Sequence, residues 1–251
     1  MLLELSELRK SYGSMNVIRG LNLSVREGEF VGVIGPNGAG KTTLFGLIAG
    51  NLRCDSGRVA LRGRDVTALT AQGRCREGVA RTFQIPQPFQ SLTVYENVLV
   101  AATFGASLDA HGAAALATKC VSRCQLTGLG DQLAGSLTLL QRKRLELARA
   151  LATRPRLLLL DEVAGGLTDP EMAQLVALVQ GLHREGITIL WIEHLVHALV
   201  SVAQRLVVLT DGAVLADGPP QQVIASQLVR ETYLGAELEL ESGGGGTHAA
   251  H

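Results

Sequence analysis

Hydrophobic positions along the chain fall into two patterns that predict strands. The segment NVIRGLNLSV alternates between apolar and polar residues, as a half-buried strand does, whereas EFVGVIG is a short apolar run ending in glycine. Two later runs, RLLLLDE and ITILWIEH, are continuously apolar, which is typical of parallel strands covered on both faces. The segment RLVVLTDGAVLADG predicts a hairpin that turns at Asp211 and Gly212.

Helical patterns follow the first glycine-rich segment and then dominate the middle of the chain. Residues 41–49 predict a helix that stops at Gly50. Thr93 and Glu96 have the spacing of a capping box that opens VYENVLVAATFG. AAALATKCVSRCQL predicts a second helix of this region, and SLTLLQRKRLELARAL predicts a third.

Together these elements predict one α/β domain over residues 1–240. An α-helical subdomain of about residues 86–150 is inserted into the α/β sheet core. Residues 241–251, ESGGGGTHAAH, predict a flexible tail. A length of 251 residues suits either one large domain or a domain with a subdomain.

Composition and charge exclude several classes of protein. The chain is 47% hydrophobic and 18% charged, a globular rather than a disordered balance. Its 23 basic residues cancel its 23 acidic ones, which argues against nucleic acid as a partner. No apolar run approaches the roughly 20 residues that span a bilayer. The start, MLLELSELRKSYG, lacks the basic and apolar regions of a signal peptide.

The four cysteines form neither a CxxC pair nor a zinc-binding pattern; they are Cys54, Cys75, Cys120 and Cys124. Cys120 and Cys124 share a face if their segment is helical. Buried free thiols are the preferred interpretation, and they fit a reducing cytosol.

The segment GPNGAGKTT carries the strongest chemical signal. It matches G-x-x-x-x-G-K-[ST] and lies between a predicted strand and a predicted helix, so it predicts a nucleotide-binding P-loop. Its glycines let backbone N–H groups approach phosphates closely. Lys41 supplies a cation for the outer phosphates and Thr42 a hydroxyl for Mg²⁺. The predicted binding residues are Gly35, Pro36, Asn37, Gly38, Ala39, Gly40, Lys41, Thr42 and Thr43.

Two acidic residues end the buried strand in RLLLLDE. Ligands of open α/β sheets bind beyond the carboxyl ends of the strands. Asp161 is therefore predicted to hold Mg²⁺, directly or through water, and Glu162 to polarise an attacking water. Alone, these residues would equally suit a solvated strand end; the P-loop favours the functional interpretation.

The order of these motifs resembles that of the ATP-binding-cassette ATPases. The P-loop is followed by VARTFQ, a helical insert, RLLLLDE and IEH, and the resemblance covers about residues 2–236. ARTFQ, LTVYENVLVAA and GLTDPE further resemble ATPase subunits of branched-chain amino acid importers. The resemblance implies an α/β P-loop NTPase sheet core, an inserted α-helical subdomain and an N-terminal antiparallel β portion.

The resemblance also implies roles for single residues. Tyr12 would stack on the adenine of ATP. Gln84 would reach Mg²⁺ and the water and report the nucleotide state to a membrane subunit. His194 would be the switch histidine at the γ-phosphate. The alternatives are a strand-packing tyrosine, a loop glutamine without a role and a structural histidine, and His197 nearby would suggest a weak metal pair.

The helix start SLTLLQ departs from the family pattern, which has a serine and two glycines there. Thr138 keeps a hydroxyl, and Thr138 with Gln141 has capping-box spacing. Leu139 and Leu140 keep their backbone N–H groups but occupy room that glycine leaves open. The resemblance implies that this helix start contacts the γ-phosphate bound by a second ATPase subunit. The leucines then favour a heterodimer, with a homodimer as the alternative.

Further segments bear on contacts with other proteins. The apolar segment IPQPFQSLTVY predicts a docking surface for a membrane protein. Arg142, Lys143 and Arg144 predict a solvated helix face. Val163 and the segment GGLT depart from common family residues, which leaves the contact of Thr168 with a second subunit open.

The resemblance implies an ATPase subunit of a bacterial importer at the cytoplasmic face of the inner membrane. Its cofactors would be ATP and Mg²⁺, and its cargo an amino acid. Its partners would be two transmembrane permease subunits, a second ATPase subunit and an extracytoplasmic solute-binding protein. An exporter ATPase for lipid-like cargo, a cassette protein acting on ribosomes or nucleic acid, and a small-molecule kinase remain alternatives.

Overall fold

The computed structural model describes residues 1–234, in which two β-sheets and nine α-helices build the fold. The tail predicted for residues 241–251 lies outside the described residues. The strands are β1 (Leu3–Tyr12), β2 (Met15–Val25), β3 (Phe30–Ile34), β4 (Ser56–Leu61), β5 (Arg64–Asp65), β6 (Val79–Arg81), β7 (Leu157–Asp161), β8 (Thr188–Ile192), β9 (Arg205–Thr210) and β10 (Ala213–Gly218).

The helices are interspersed among the strands before β6 and after β7, and three of them follow one another between those two strands. They are α1 (Lys41–Ala49), α2 (Ala71–Arg76), α3 (Val94–Gly105), α4 (Ala110–Arg123), α5 (Leu139–Ala152), α6 (Asp169–Arg184), α7 (Val196–Val200), α8 (Pro220–Ala225) and α9 (Gln227–Val229). Short 3₁₀ turns occupy Thr127–Leu129 and Ala134–Ser136, and a π-type turn occupies Arg230–Leu234. No helix of residues 1–234 is both long and apolar enough to cross a membrane.

The larger sheet has the strand order β10-β9-β3-β8-β7-β6, in which only β10 runs antiparallel to its neighbour. Every residue of β3, β7 and β8 is buried, as their continuous apolar runs predict. The smaller sheet is antiparallel, in the order β2-β1-β4-β5. The predicted α/β core with an N-terminal antiparallel portion is thus confirmed.

Local sequence signals set several element boundaries. Helix α1 begins at Lys41 and ends before Gly50, as predicted. The hairpin of β9 and β10 turns at Asp211 and Gly212, whose φ angles are 47° and 75°. Such positive φ values at both central residues match the right-handed twist of the paired strands.

Helices α3, α4 and α5 lie between β6 and β7 in the chain and pack on one another. A predicted capping box opens α3: the Thr93 hydroxyl accepts from the Glu96 N–H at 3.1 Å, and the Glu96 carboxylate accepts from the Thr93 N–H at 2.7 Å. Among the free cysteines, Cys120 and Cys124 are buried in this helical group, as expected. Burial raises the pKa of both thiols.

The capping box of Thr93 and Glu96 is expected to stabilise the protein. Thr93→Ala should lower the free energy of unfolding by about 1 kcal/mol, because the Glu96 N–H of the first turn loses the hydroxyl that accepts from it. Urea unfolding measures the change. Thr118→Ala, at an exposed site on α4, is the control, since its hydroxyl bonds only to a carbonyl of the preceding turn. Equal stability of the two variants would contradict the prediction.

The predicted solvated face of Arg142, Lys143 and Arg144 is wrong. Helix α5 packs against α3, α4 and α6, which leaves it little open surface. Lys143 is 4% exposed, and its ammonium donates to the Gln84 carbonyl at 3.4 Å. Arg142 donates to the Leu137 carbonyl at 2.8 Å, and Arg144 donates to a side-chain oxygen on α6 at 2.8 Å. Long cationic side chains can donate hydrogen bonds to backbone and amide oxygens that water molecules would otherwise hydrate.

Candidate active site at the ends of the parallel strands

The P-loop connects β3 to α1 and is shaped by close backbone approach. A Cβ on Gly35 would lie 2.2 Å from the carbonyl oxygen of Leu209, so this position admits only glycine. Gly40 has a φ of 97°, and a Cβ there would lie 2.9 Å from the carbonyl oxygen of Val17. Close contacts with β2 and β9 therefore fix the backbone conformation of the loop.

The ammonium of Lys41 folds back onto the loop that precedes it. It donates to the Gly35 carbonyl at 2.6 Å and to the Pro36 carbonyl at 3.0 Å. Lys41 is 6% exposed, and this burial lowers its pKa while the charges of Glu162 and Asp161 partly oppose the shift. The lysine is thus held at the loop, close to the two acidic residues.

Asp161, the last residue of β7, is a buried carboxylate that is already paired. Its Oδ2 accepts from the Arg81 guanidinium at 2.6 Å, and the two side chains are 5% and 9% exposed. Burial raises the pKa of Asp161, and the hydrogen bond and charge of Arg81 oppose that rise. The sequence interpretation missed Arg81, since nothing local to VARTFQ indicates its distant partner.

The donors predicted to bind metal fit Mg²⁺ by their chemistry. Thr42, Gln84 and Asp161 offer a hydroxyl, an amide oxygen and a carboxylate, which are the hard oxygen ligands that Mg²⁺ prefers. Thr42 is exposed at the start of α1. Within residues 1–234, Asp161 Oδ1 accepts no hydrogen bond, so one carboxylate oxygen remains available for a metal or for a metal-bound water.

Glu162 contacts the other two residues predicted to act in catalysis, Gln84 and His194. Its Oε1 lies 2.7 Å from His194 Nε2, and its Oε2 accepts from the Gln84 amide at 2.5 Å. The residue has a φ of 48°, a left-handed conformation that non-glycine residues seldom adopt and that often occurs at functional sites. The backbone turn after β7 therefore directs this carboxylate toward both partners.

A third carboxylate of the site, that of Glu193, supports the segment after Glu162, and like Arg81 it was missed by the sequence interpretation. Glu193 is 2% exposed, and its Oε1 accepts from the Ala164 N–H at 2.7 Å and from the Trp191 indole at 3.2 Å. Burial raises its pKa, which these hydrogen bonds partly oppose. Its position directly after a buried apolar strand, like that of Glu162, was the available signal.

Tyr12 ends β1 with its side chain half exposed, at 49%. The Lys10 ammonium lies 5.5 Å from the centroid of its ring. An exposed aromatic face of this kind suits stacking on a base. Its contact with adenine stays a prediction.

The start of α5 forms the capping box predicted from SLTLLQ. The Thr138 hydroxyl accepts from the Gln141 N–H at 3.4 Å, and the Gln141 side chain accepts from the Thr138 N–H at 2.9 Å. Leu140 is 8% exposed and packs in the core, whereas Leu139 is 40% exposed. Of the two leucines, only Leu139 occupies surface room at this helix start. A Cβ on Gly166 would lie 3.2 Å from its side chain.

A groove of 230 Å³ lies between the sheet core and the inserted helices. Its lining includes Arg81, Phe83, Ala101, Glu146, Arg149 and Thr153. Glu146 is 7% exposed and pairs with Arg149 at 2.8 Å; burial raises the pKa of Glu146, and Arg149 opposes the rise.

The loop that follows Gln84 carries exposed apolar side chains, and Phe89 among them contacts Arg149 of the groove. Ile85 is 71% exposed and Phe89 is 48% exposed. The Arg149 guanidinium lies 5.2 Å from the centroid of the Phe89 ring. Exposed apolar residues beside a partly charged groove are typical of surfaces that bind another protein.

Comparison with protein families identifies one match over more than half of the chain. The family model described as "ABC transporter" matches residues 18–165. This range begins in β2, includes the P-loop and all three inserted helices, and ends just after Glu162.

Several relatives match nearly the whole chain. The high-affinity branched-chain amino acid transport ATP-binding protein BraF of Pseudomonas aeruginosa is 38% identical over 93% of this chain and 98% of its own. The lipopolysaccharide export system ATP-binding protein LptB is 36% identical in Acidithiobacillus ferridurans and 32% identical in Haemophilus influenzae, each over 95% of this chain and 99% of its own.

Solved structures agree with this chain in fold as well as in sequence. A nucleotide-free ATP-binding cassette from an ABC transporter has a TM-score of 0.84 at 29% identity, covering 92% of this chain and 98% of its own. An ATP-binding cassette in its ADP conformation has a TM-score of 0.83 at 29% identity, covering 93% and 98%.

Proposed function

The chain belongs to the ABC transporter family of ATPases, and from this premise we propose that it powers a bacterial importer of branched-chain or other amino acids. Members of this family bind and hydrolyse ATP, dimerise and work with membrane permease subunits. One structural observation carries the proposed mechanism: Glu162 meets Gln84 and His194 beside the P-loop. The identity with BraF supports the cargo.

ATP is proposed to bind with its phosphates in the P-loop and its adenine on Tyr12. The ammonium of Lys41 leaves the carbonyls of Gly35 and Pro36 and pairs with the outer phosphates, a stronger charge-assisted contact. Thr42, Gln84 and Asp161 would hold Mg²⁺. The metal supplies positive charge that offsets the charge developing on the phosphates.

In the proposed hydrolysis, Glu162 takes a proton from the attacking water. The water oxygen bonds to the γ-phosphorus while the bond from that phosphorus to the bridging oxygen breaks. Gln84 orients the water, and His194 donates to the γ-phosphate. Because both side chains already contact the Glu162 carboxylate, they limit its orientation before ATP arrives.

Hydrolysis is proposed to drive two transmembrane permease subunits at the cytoplasmic face of the inner membrane. Two ATPase subunits would enclose ATP between the P-loop of one and the start of α5 of the other, where Thr138 and Gln141 lie. Closure requires that ATP bind the closed dimer better than the open one. An extracytoplasmic solute-binding protein would supply the amino acid.

Reconstitution with the neighbouring gene products tests the proposed cargo. Proteoliposomes with the permeases, the second ATPase subunit and the binding protein should take up radiolabelled leucine when ATP is enclosed on the ATPase side. Glu162→Gln complexes are the control for uptake that hydrolysis does not drive. ATP-driven movement of a lipid-like molecule without amino acid uptake would instead support the exporter, which the identity with LptB favours as the second candidate.

The groove and the loop after Gln84 are proposed to dock the permease. Phe89→Glu should reduce transport at least about tenfold while the isolated subunit keeps its ATPase rate, because a charge in an apolar contact is costly to bury. Transport is measured in proteoliposomes, and ATPase activity is measured both there and with the isolated subunit. Leu228→Glu, at a 52% exposed site on α9, is the matched control. Full coupling in the Phe89 variant would refute this docking surface.

A further inference from the structure

Arg81 is a buried cation that lies between the docking groove and the carboxylate predicted to bind metal. Its side chain is 9% exposed, and its guanidinium donates to Asp161 Oδ2 at 2.6 Å. Its Nε is buried and has no hydrogen-bond partner among the described residues. Burying a guanidinium with an unsatisfied nitrogen costs free energy of folding, so stability alone does not account for Arg81 at this position.

Two aromatic rings contact this guanidinium. Its Cζ lies 5.9 Å from the centroid of Phe45 and 5.2 Å from the centroid of Phe83. Phe45 belongs to α1, the helix of the P-loop, and is fully buried. Phe83 is 44% exposed, lines the groove together with Arg81 and precedes Gln84. A segment seated in the groove would therefore contact the ring next to Arg81.

We propose that Arg81 is a positioning residue that competes with Mg²⁺ for Asp161, and that a permease segment in the groove, by contacting Phe83, weakens this competition. The second half of the proposal rests on the docking surface proposed above. A guanidinium on one carboxylate oxygen repels a divalent cation nearby and fixes the carboxylate in one orientation. The subunit alone would then bind Mg²⁺·ATP less tightly than it would without the positive charge of Arg81.

Isothermal titration calorimetry of ATP binding tests the first half of the proposal, the competition at Asp161, without measuring catalysis. All variants carry Glu162→Gln, so that ATP persists during the measurement. In this background Arg81→Met should bind Mg²⁺·ATP about fivefold tighter than the parent, because the competing charge is gone. ATP in EDTA should bind no tighter than to the parent.

Charge and shape are separated by two further variants. Arg81→Lys keeps a cation near Asp161 and should retain the weak Mg²⁺·ATP binding of the parent. Arg81→Gln is neutral but keeps a hydrogen-bond donor, and it should bind as tightly as Arg81→Met; it also serves if Arg81→Met fails to fold. Arg58→Met breaks an exposed ion pair with Asp65 and is the control. Unchanged or weaker Mg²⁺·ATP binding in every neutral variant that folds, Arg81→Met or Arg81→Gln, would overturn the proposed competition.

The second half is tested in the reconstituted complex. There the permeases should tighten Mg²⁺·ATP binding of the parent and leave that of Arg81→Met unchanged, and Phe83→Ala should remove the effect. An equal permease effect in the parent and in Arg81→Met overturns this half. If Phe89→Glu leaves transport coupled, the docking surface fails, while tighter binding by the isolated neutral variants still supports the competition at Asp161.

Discussion

Glu162→Gln should preserve ATP binding and lower the hydrolysis rate by at least about a hundredfold, the size of effect expected when a general base is removed. An amide keeps the shape of the carboxylate but does not accept a proton from water. It also replaces the acceptor that His194 and Gln84 now share. ATP-bound dimers should consequently accumulate.

Phosphate release by the purified complex and the population of dimers on a sizing column measure the two effects. Glu27→Gln, at an exposed carboxylate whose partner is Arg156, is the matched control and should behave like the unchanged protein. Turnover by Glu162→Gln at the normal rate, with the permeases present, would remove Glu162 from the role of base.

The second large effect concerns the start of α5, where Leu139 stands at an exposed position. We expect this subunit to pair with a different ATPase subunit that has glycine at the matching position. The site built from this subunit's P-loop and the partner's helix start would hydrolyse ATP. The opposite site would be weak, because Leu139 crowds a backbone that must closely approach phosphate.

Removing the catalytic glutamate from one subunit at a time tests this asymmetry. Glu162→Gln here should abolish nearly all activity of the mixed dimer, whereas the same change in the partner should leave most of it. Leu139→Gly should then raise the contribution of the opposite site, while Leu133→Gly, at another exposed leucine, should not. A homodimer of this chain with two equally active sites would contradict the expectation.

Features that depend on residues close together in the chain could be predicted from the amino-acid sequence alone. The P-loop, the three buried strands, the hairpin at Asp211 and Gly212, and the capping boxes at Thr93 and Thr138 all follow from short segments. Backbone conformation, periodic burial and the first turn of a helix are set within a few residues, so their patterns can be found in a single chain.

Contacts between charged side chains, by contrast, became known from the folded structure. Arg81 and Asp161 are 80 positions apart, and Gln84 and Glu162 are 78 apart. Their contacts depend on β6 lying beside β7 after the chain has passed through three helices. No local pattern encodes such a distance, because pairing is fixed by the order of strands in the sheet.

Helix α5 has both features that its sequence predicts and features that its neighbours in the fold determine. Its start and its capping box follow from SLTLLQ, yet the same segment does not tell which leucine faces outward or that Lys143 is buried. Those outcomes depend on the helices that cover α5. A helix determines its own periodicity, but its neighbours determine which of its faces remain open to solvent and to a second subunit.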